Sequence, residues 1–179
     1  MHTLLLNALL KGPATIDAPT PSEAMLAGLA KTLGERARQR LGRSLAIREV
    51  DAGSCNGCEL EIHALNNPVY DAERFGLKFV ASPRHADVLL VTGPVTWNMR
   101  EALERTYTAT PDPKWVVAVG DCGANCGVFA GSYACVGPVS SVIPVDLEIP
   151  GCPPRPIDLL EGLLGLMEGA NKTPAIPRS

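Results

Sequence analysis

The sequence predicts an α/β fold in which a parallel sheet is flanked by helices. From residue 45 onward, short apolar segments alternate with helical patterns, and Gly, Pro, Asn and Asp separate them. The segments at 87–92 and 115–120 are apolar on both faces, as buried parallel strands are. With 179 residues, 46% of them apolar and 20% charged, the chain can bury a core and is not mainly disordered.

One helix is predicted before the sheet, at residues 22–40, with Ser22 as its N-cap. Apolar residues recur at three- and four-residue spacing on one face, and the other face is basic. The helix either packs on its own domain or docks on a membrane surface or a partner. We expect an N-terminal extension at 1–44, an α/β domain at 45–170 and a flexible tail at 171–179.

The predicted elements of the domain follow one another in strand–helix order. They are a strand at 45–50, a helix at 59–65, strands at 77–81 and 87–92, a helix at 99–107, strands at 115–120 and 142–145, and a closing helix at 156–168. The closing helix carries Pro156 and Asp158 in its first turn, where both residue types are favoured.

Four of the six cysteines directly follow predicted strands. Cys55 and Cys58 follow the first strand, Cys122 follows the strand at 115–120, and Cys152 follows the last one. Ligands of open parallel sheets bind beyond the carboxyl ends of the strands. We therefore expect these four side chains to meet at one edge of the sheet.

Three kinds of site use such cysteines. Structural zinc sites usually contain two close-spaced pairs, whereas this chain has one pair and two single cysteines. A redox dithiol at Cys55 and Cys58 would not require Cys122 and Cys152 beside it. Four thiolates from separate turns are typical of a [4Fe–4S] cluster. The pattern favours the cluster, and a zinc-stabilised interaction module without a redox role is the alternative from another class.

Three other residues near these positions have open roles. Cys126 and Cys135 are too few to bind a second cluster. They are either small buried apolar residues or a reserve or redox-sensitive ligand near Cys122. Glu59, directly after Cys58, either relays protons or stabilises the start of its helix.

Charge and hydropathy exclude two classes of function. The net charge is −3, and a nucleic-acid partner is not expected because binding usually requires a clustered basic face. No segment approaches about 18 uninterrupted apolar residues, so we expect no transmembrane helix. The absence of a convincing signal peptide predicts a reducing compartment, where cysteine clusters bind metals more often than they form disulfides.

Four motifs resemble a known family. They are DAGSCNGCE at 51–59, SPRHADVLLVTG at 82–93, GDCG at 120–123 and PGCPPRP at 150–156. Together they resemble the small subunit of membrane-bound group 4 nickel–iron hydrogenases, a superfamily that includes the 20 kDa-type subunit of respiratory complex I. The similarity runs from about residue 45 to 169, and DAERFG at 71–76 is most similar to the component of formate hydrogenlyase and hydrogenase-4.

The resemblance implies a flavodoxin-like fold and one [4Fe–4S] cluster, proximal to an active site in another subunit, with Cys55, Cys58, Cys122 and Cys152 as its ligands. Complex I-type subunits carry adjacent cysteines at the first ligand pair, whereas Asn56 and Gly57 separate them here, as in the hydrogenases. Cys126 and Cys135 lie outside the ligand pattern of either branch.

The resemblance also implies the function. The chain would be a non-catalytic electron-transfer subunit of a membrane-associated nickel–iron hydrogenase complex. The alternative is the equivalent subunit of a complex I-like quinone-reducing or hydrogenase-related oxidoreductase. Its partners would be a hydrogenase-type large subunit, a ferredoxin-like iron–sulfur subunit and membrane subunits. It would lie peripherally on the cytoplasmic side of the inner membrane.

Overall fold

The computed structural model describes residues 23–169, which form a five-stranded parallel sheet with helices on both faces. The strand order is β2-β1-β3-β5-β7, and every neighbouring pair is parallel. These strands are β1 (Leu45–Asp51), β2 (Leu77–Phe79), β3 (Val88–Thr92), β5 (Trp115–Val119) and β7 (Leu147–Ile149). The predicted fold class is confirmed.

Five helices and a small antiparallel ribbon complete the described part of the chain. The helices are α1 (Glu23–Leu41), α2 (Gly57–Ala64), α3 (Trp97–Ala109), α4 (Gly120–Asn125) and α5 (Pro156–Gly169). The ribbon pairs β4 (Val95–Thr96) with β6 (Cys135–Gly137). The predicted N-cap Ser22 and the predicted tail lie outside the described residues.

One predicted strand is wrong. Residues 142–145 are not in the sheet: Val142 has helical backbone angles after the short turn Val139–Ser141. Pairing with β5 begins only at Asp146, whose N–H donates to the carbonyl of Val116 and whose carboxylate accepts from the N–H of Val116. The edge strand is therefore β7, three residues long and with Glu148 exposed, which gives little apolar signal.

The two faces of the sheet bury separate cores. Val88 and Leu90 face the core beneath α1, α2 and α5, while Leu89 and Val91 face the core beneath α3. Both cores are mainly aliphatic, as expected from the low aromatic content of 4%. The two-sided burial of β3 explains its continuous apolar sequence.

The apolar face of α1 packs within its own chain. Leu26, Ala30, Leu33 and Ala37 are buried, the last three in the same core as α5. This contact favours the first of the two interpretations of the basic helix, namely packing on its own domain.

Basic side chains near the end of α1 also have internal partners. Arg40 lies over the Trp115 ring, 5.1 Å from its centroid, and donates to the carbonyl of Met167 at 3.0 Å. Arg43 forms a two-pronged ion pair with Asp87, at 2.6 and 2.8 Å. Because Asp87 is buried at the start of β3, this pair fixes the connection between α1 and the sheet.

No helix within residues 23–169 is long and apolar enough to cross a membrane.

Two glycines of α1 test how tightly it is packed. A Cβ at Gly34 would lie 1.8 Å from the carbonyl oxygen of Phe75, whereas a Cβ at Gly28 would meet no atom within 4 Å. Gly34→Ala should therefore lower the free energy of unfolding, since the backbone of the 72–75 turn must move. Gly28→Ala should raise it by up to about 1 kcal/mol through helix propensity alone. Thermal unfolding of the two variants checks this; equal shifts would contradict the packing.

Candidate metal centre

Three loops at the carboxyl edge of the sheet carry the four cysteines. The loop after β1 carries Cys55 and leads into α2 with Cys58; α4, directly after β5, carries Cys122; and the loop after β7 carries Cys152. In the sheet, β1 and β5 flank β3, and β7 lies next to β5. The strand order therefore brings chain segments up to 97 positions apart to the same edge.

The loop after β1 is shaped by its own polar side chains. The Asp51 carboxylate accepts hydrogen bonds from the N–H groups of Gly53 and Ser54, both at 2.7 Å. The Ser54 hydroxyl accepts from the N–H of Asn56 at 3.1 Å. These bonds hold Cys55 exposed at the surface, while α2 places Cys58 in the interior.

Glycine backbone approaches two of the sulfurs closely. A Cβ at Gly120 would lie 2.7 Å from Cys58 Sγ, and a Cβ at Gly127 would lie 2.9 Å from Cys122 Sγ. Both glycines have positive φ, which other residues adopt only with strain. The backbone N–H of Val128 also donates to the Cys122 sulfur. The sulfur atoms of Cys58 and Cys122 therefore fit at these positions because Gly120 and Gly127 have no side chains.

Burial and neighbouring negative charges raise the pKa values of two of the cysteines. Burial, followed by the negative charges of Glu59, Cys122, Cys55 and Cys152, raises the pKa of Cys58 to about 12. Burial is also the main cause that raises the pKa of Cys122. A thiolate at either position needs a nearby positive charge, and bound iron supplies one.

A single metal ion and an iron–sulfur cluster require different arrangements of their ligands. Between residues 23 and 169, no three His, Cys, Asp or Glu side chains are arranged to hold one metal ion. A zinc ion requires all its ligands within about 2.0–2.3 Å of one centre. A cube instead binds one thiolate at each of its separate irons. The four cysteines come from three separate segments of the chain, which is the arrangement that separate irons would require.

Glu59 lies beside the cysteines and away from solvent. Its side chain is 6% exposed, one carboxylate oxygen accepts a hydrogen bond from the buried Thr92 hydroxyl, and the other has no partner. Nearby, burial raises the pKa of Glu49, which His63 opposes from 3.6 Å. The region between α2 and the end of β3 therefore holds a buried carboxylate with a free oxygen.

Cys126 and Cys135 lie on the neighbouring segment. Cys126 ends α4 with a left-handed φ of 71°, and burial is the main cause that raises its pKa, followed by Cys135. Cys135 is half-buried in β6, opposite Thr96.

Two site residues lie within the quoted motifs, but no local pattern in the sequence reveals the contacts they make. Asp121 exchanges two hydrogen bonds with Gly151, 30 positions away, and Thr92 contacts Glu59, 33 positions away. Asp and Thr are common at strand ends, and only the strand order reveals their partners. The sequence predicts parallel strands but not which strands are neighbours in the sheet.

Comparisons with known proteins show the family to which the chain belongs. The family described as the 20 kDa subunit of NADH ubiquinone oxidoreductase matches residues 55–166. A probable membrane-bound hydrogenase subunit, mbhJ, of Pyrococcus furiosus is 52% identical over 128 residues, 72% of this chain and 77% of the relative. Formate hydrogenlyase subunit 7 of Escherichia coli is 45% identical over 159 residues, which cover 87% of this chain and 58% of that protein.

Among solved structures, a chain of an archaeal membrane-bound sulfane sulfur reductase has a TM-score of 0.63 and 35% identity, covering 78% of this chain and 77% of the other. The resemblance inferred from the four motifs is confirmed. This chain belongs to the family of the complex I 20 kDa subunit and the nickel–iron hydrogenase small subunit.

Proposed function

We propose that this chain is the electron-transfer subunit of a membrane-associated nickel–iron hydrogenase complex, carrying electrons through one [4Fe–4S] cluster. Its ligands would be Cys55, Cys58, Cys122 and Cys152. The observation that carries the proposal is that the three cysteine-bearing segments meet at Gly120, where a Cβ would lie 2.7 Å from Cys58 Sγ and 3.2 Å from the carbonyl oxygen of Gly151. The names of two relatives, a membrane-bound hydrogenase subunit and a formate hydrogenlyase subunit, support the type of complex.

The chain's own residues bind, orient and shield the cluster. When bound, the cluster accepts and releases one electron at a time. Cys58 and Cys122 are buried, so they would hold its inner side out of water; Cys55 and Cys152 are exposed and would hold its outer side. The N–H of Val128 donates to sulfur, which favours the thiolate form of Cys122 and helps to set the reduction potential.

The exposed outer side requires a partner. Trp97, Val128 and Tyr133 are 58%, 81% and 96% exposed, and lie on or beside the β4–β6 ribbon and the Cys122 segment. Large exposed apolar side chains near a half-enclosed site are typical of a subunit interface. In this proposal they contact the large subunit, which holds the nickel–iron site and performs the catalysis. The sequence contains no second Cys-x-x-Cys motif that would hold nickel here.

The remaining partners and the location belong to the same proposal. A ferredoxin-like subunit would pass electrons to or from this cluster, and membrane subunits would anchor the complex. The chain would lie peripherally on the cytoplasmic side of the inner membrane.

A second candidate is the equivalent subunit of a complex without hydrogenase activity. The family includes a subunit of NADH ubiquinone oxidoreductase, and the similar solved chain comes from a sulfane sulfur reductase. Purified complex should reduce a viologen dye with H₂ if the first proposal holds. An intact cluster without H₂-dependent reduction would favour the second.

The cluster itself is tested by substitution of one ligand and one bystander cysteine. Cys152→Ser should remove between one and about four irons per complex, because a cube takes one ligand at each iron. Cys135→Ser, a half-buried cysteine outside the ligand set, should retain them. Iron analysis and electron paramagnetic resonance of the anaerobically purified complex measure both. Full iron in Cys152→Ser would make the ligand assignment wrong.

Glu59 offers a test of proton transfer. In the proposal its free oxygen relays protons towards the large subunit, so Glu59→Gln should slow turnover roughly 100-fold or more, as loss of a positioned proton donor does. The cluster content should stay unchanged, since the glutamine still accepts from Thr92. Glu61→Gln, on the same helix, is the matched control. Normal turnover in Glu59→Gln would exclude the relay.

A further inference from the structure

We propose that Asp121 is a positioning residue: it fastens the Cys152 loop to the Cys122 turn, and its charge lowers the cluster's reduction potential. The inference rests on the proposed cluster function and goes beyond it, because it assigns a role to a residue that is not a ligand. Asp121 is adjacent to Cys122, and its partner Gly151 is adjacent to Cys152.

The contact is a closed pair of hydrogen bonds. The Asp121 N–H donates to the Gly151 carbonyl at 2.9 Å, and the Gly151 N–H donates to the Asp121 carboxylate at 2.8 Å. One bond would leave the two segments free to rotate about it, whereas two bonds fix their relative orientation. The relative orientation of the Cys122 and Cys152 backbones therefore depends on the Asp121 side chain as well as on the backbone N–H of Asp121.

The Cys152 loop has few other backbone hydrogen bonds to the rest of the domain. The parallel ladder between β5 and β7 ends at the pair of Val119 with Ile149, so Cys152 lies beyond the sheet's hydrogen bonds. Residues 150–154 have the sequence PGCPP, and proline has no N–H. Only Gly151 and Cys152 can donate from this backbone, and Asp121 accepts from the first of them.

Glycines make this close approach feasible and leave the loop dependent on Asp121. Gly120 has φ +79, and a Cβ there would lie 3.2 Å from the Gly151 carbonyl oxygen. Gly151 has φ +135, and a Cβ there would lie 2.7 Å from the backbone of Pro154. Asp51 differs from Asp121, because its two bonds to Gly53 and Ser54 stay within its own loop.

The carboxylate also places a negative charge beside a cluster ligand. Reduction adds one electron to the cluster, and a neighbouring negative charge opposes that addition. Neutralising Asp121 while retaining its hydrogen bond should therefore raise the reduction potential. A residue with a purely structural role would leave the potential unchanged.

Two substitutions in the complete complex separate the two effects. Asp121→Ala removes the acceptor, so a strong iron chelator should extract this chain's iron roughly tenfold faster, in proportion to the loss of one charge-assisted hydrogen bond. Amide hydrogen exchange of residues 148–155 should also accelerate. Asp121→Asn keeps a carbonyl acceptor for Gly151, so iron release and exchange should stay at wild-type rates while the potential rises. Asp112→Ala, an exposed aspartate near the opposite edge, is the matched control and should change neither.

Each outcome decides the proposal. Wild-type iron release and exchange in Asp121→Ala would overturn the positioning role, and an unchanged potential in Asp121→Asn would overturn the charge effect. If Asp121→Ala fails to assemble, Asp121→Asn decides alone: fast iron release overturns the proposal, and stable iron with a raised potential supports it. If the wild-type complex lacks iron from this chain, the proposed function fails, while the exchange of residues 148–155 still reports on the contact.

Discussion

The meeting of three cysteine-bearing segments at one edge of the sheet, with Cys58 and Cys122 buried, is the constraint on which the rest of the site depends. Iron requires thiolates, yet burial and the mutual repulsion of negative charges raise the pKa of Cys58 to about 12. Without a cation, the site therefore favours neutral thiols and offers no attraction between the loops. The fold must hold the loops together by other means, and it does so with strand order, backbone hydrogen bonds and glycines.

The sheet supplies most of that support. Because β3 is buried on both faces and lies between β1 and β5, the first and second cysteine loops start from rigid positions. Helices α1 and α5 cover one face and stabilise the strands from below. Gly120 and Gly127 have positive φ and leave room for sulfur, but glycine also makes the backbone more flexible at these positions. Local bonds such as those of Asp51 and Asp121 then restrict that freedom.

The sequence predicts features whose pattern lies within one continuous segment better than it predicts contacts between distant residues. The strands at 87–92 and 115–120 and the helix before residue 45 were predicted because their patterns are continuous, and the cysteines after strands indicated a shared edge. The predicted strand at 142–145 is wrong. Its apolar residues follow a turn and pack against the core beneath α3, whereas β7 pairs with β5 through only three residues. The contact of Asp121 with Gly151 has no local pattern, since it exists only once β5 and β7 are neighbours.

The unequal exposure of the four cysteines bears on how one architecture serves several complexes. Cys58 and Cys122 face this chain's interior, so the inner half of the site is fixed by the fold, whereas Cys55 and Cys152 face outward. Burial and hydrogen bonds around sulfur govern a cluster's potential. In the proposed complex, a partner that covers the outer half would set part of that potential. In that proposal, complexes of the hydrogenase type and of the NADH ubiquinone oxidoreductase type could share this fold and differ in potential, because part of the cluster's environment would belong to another subunit.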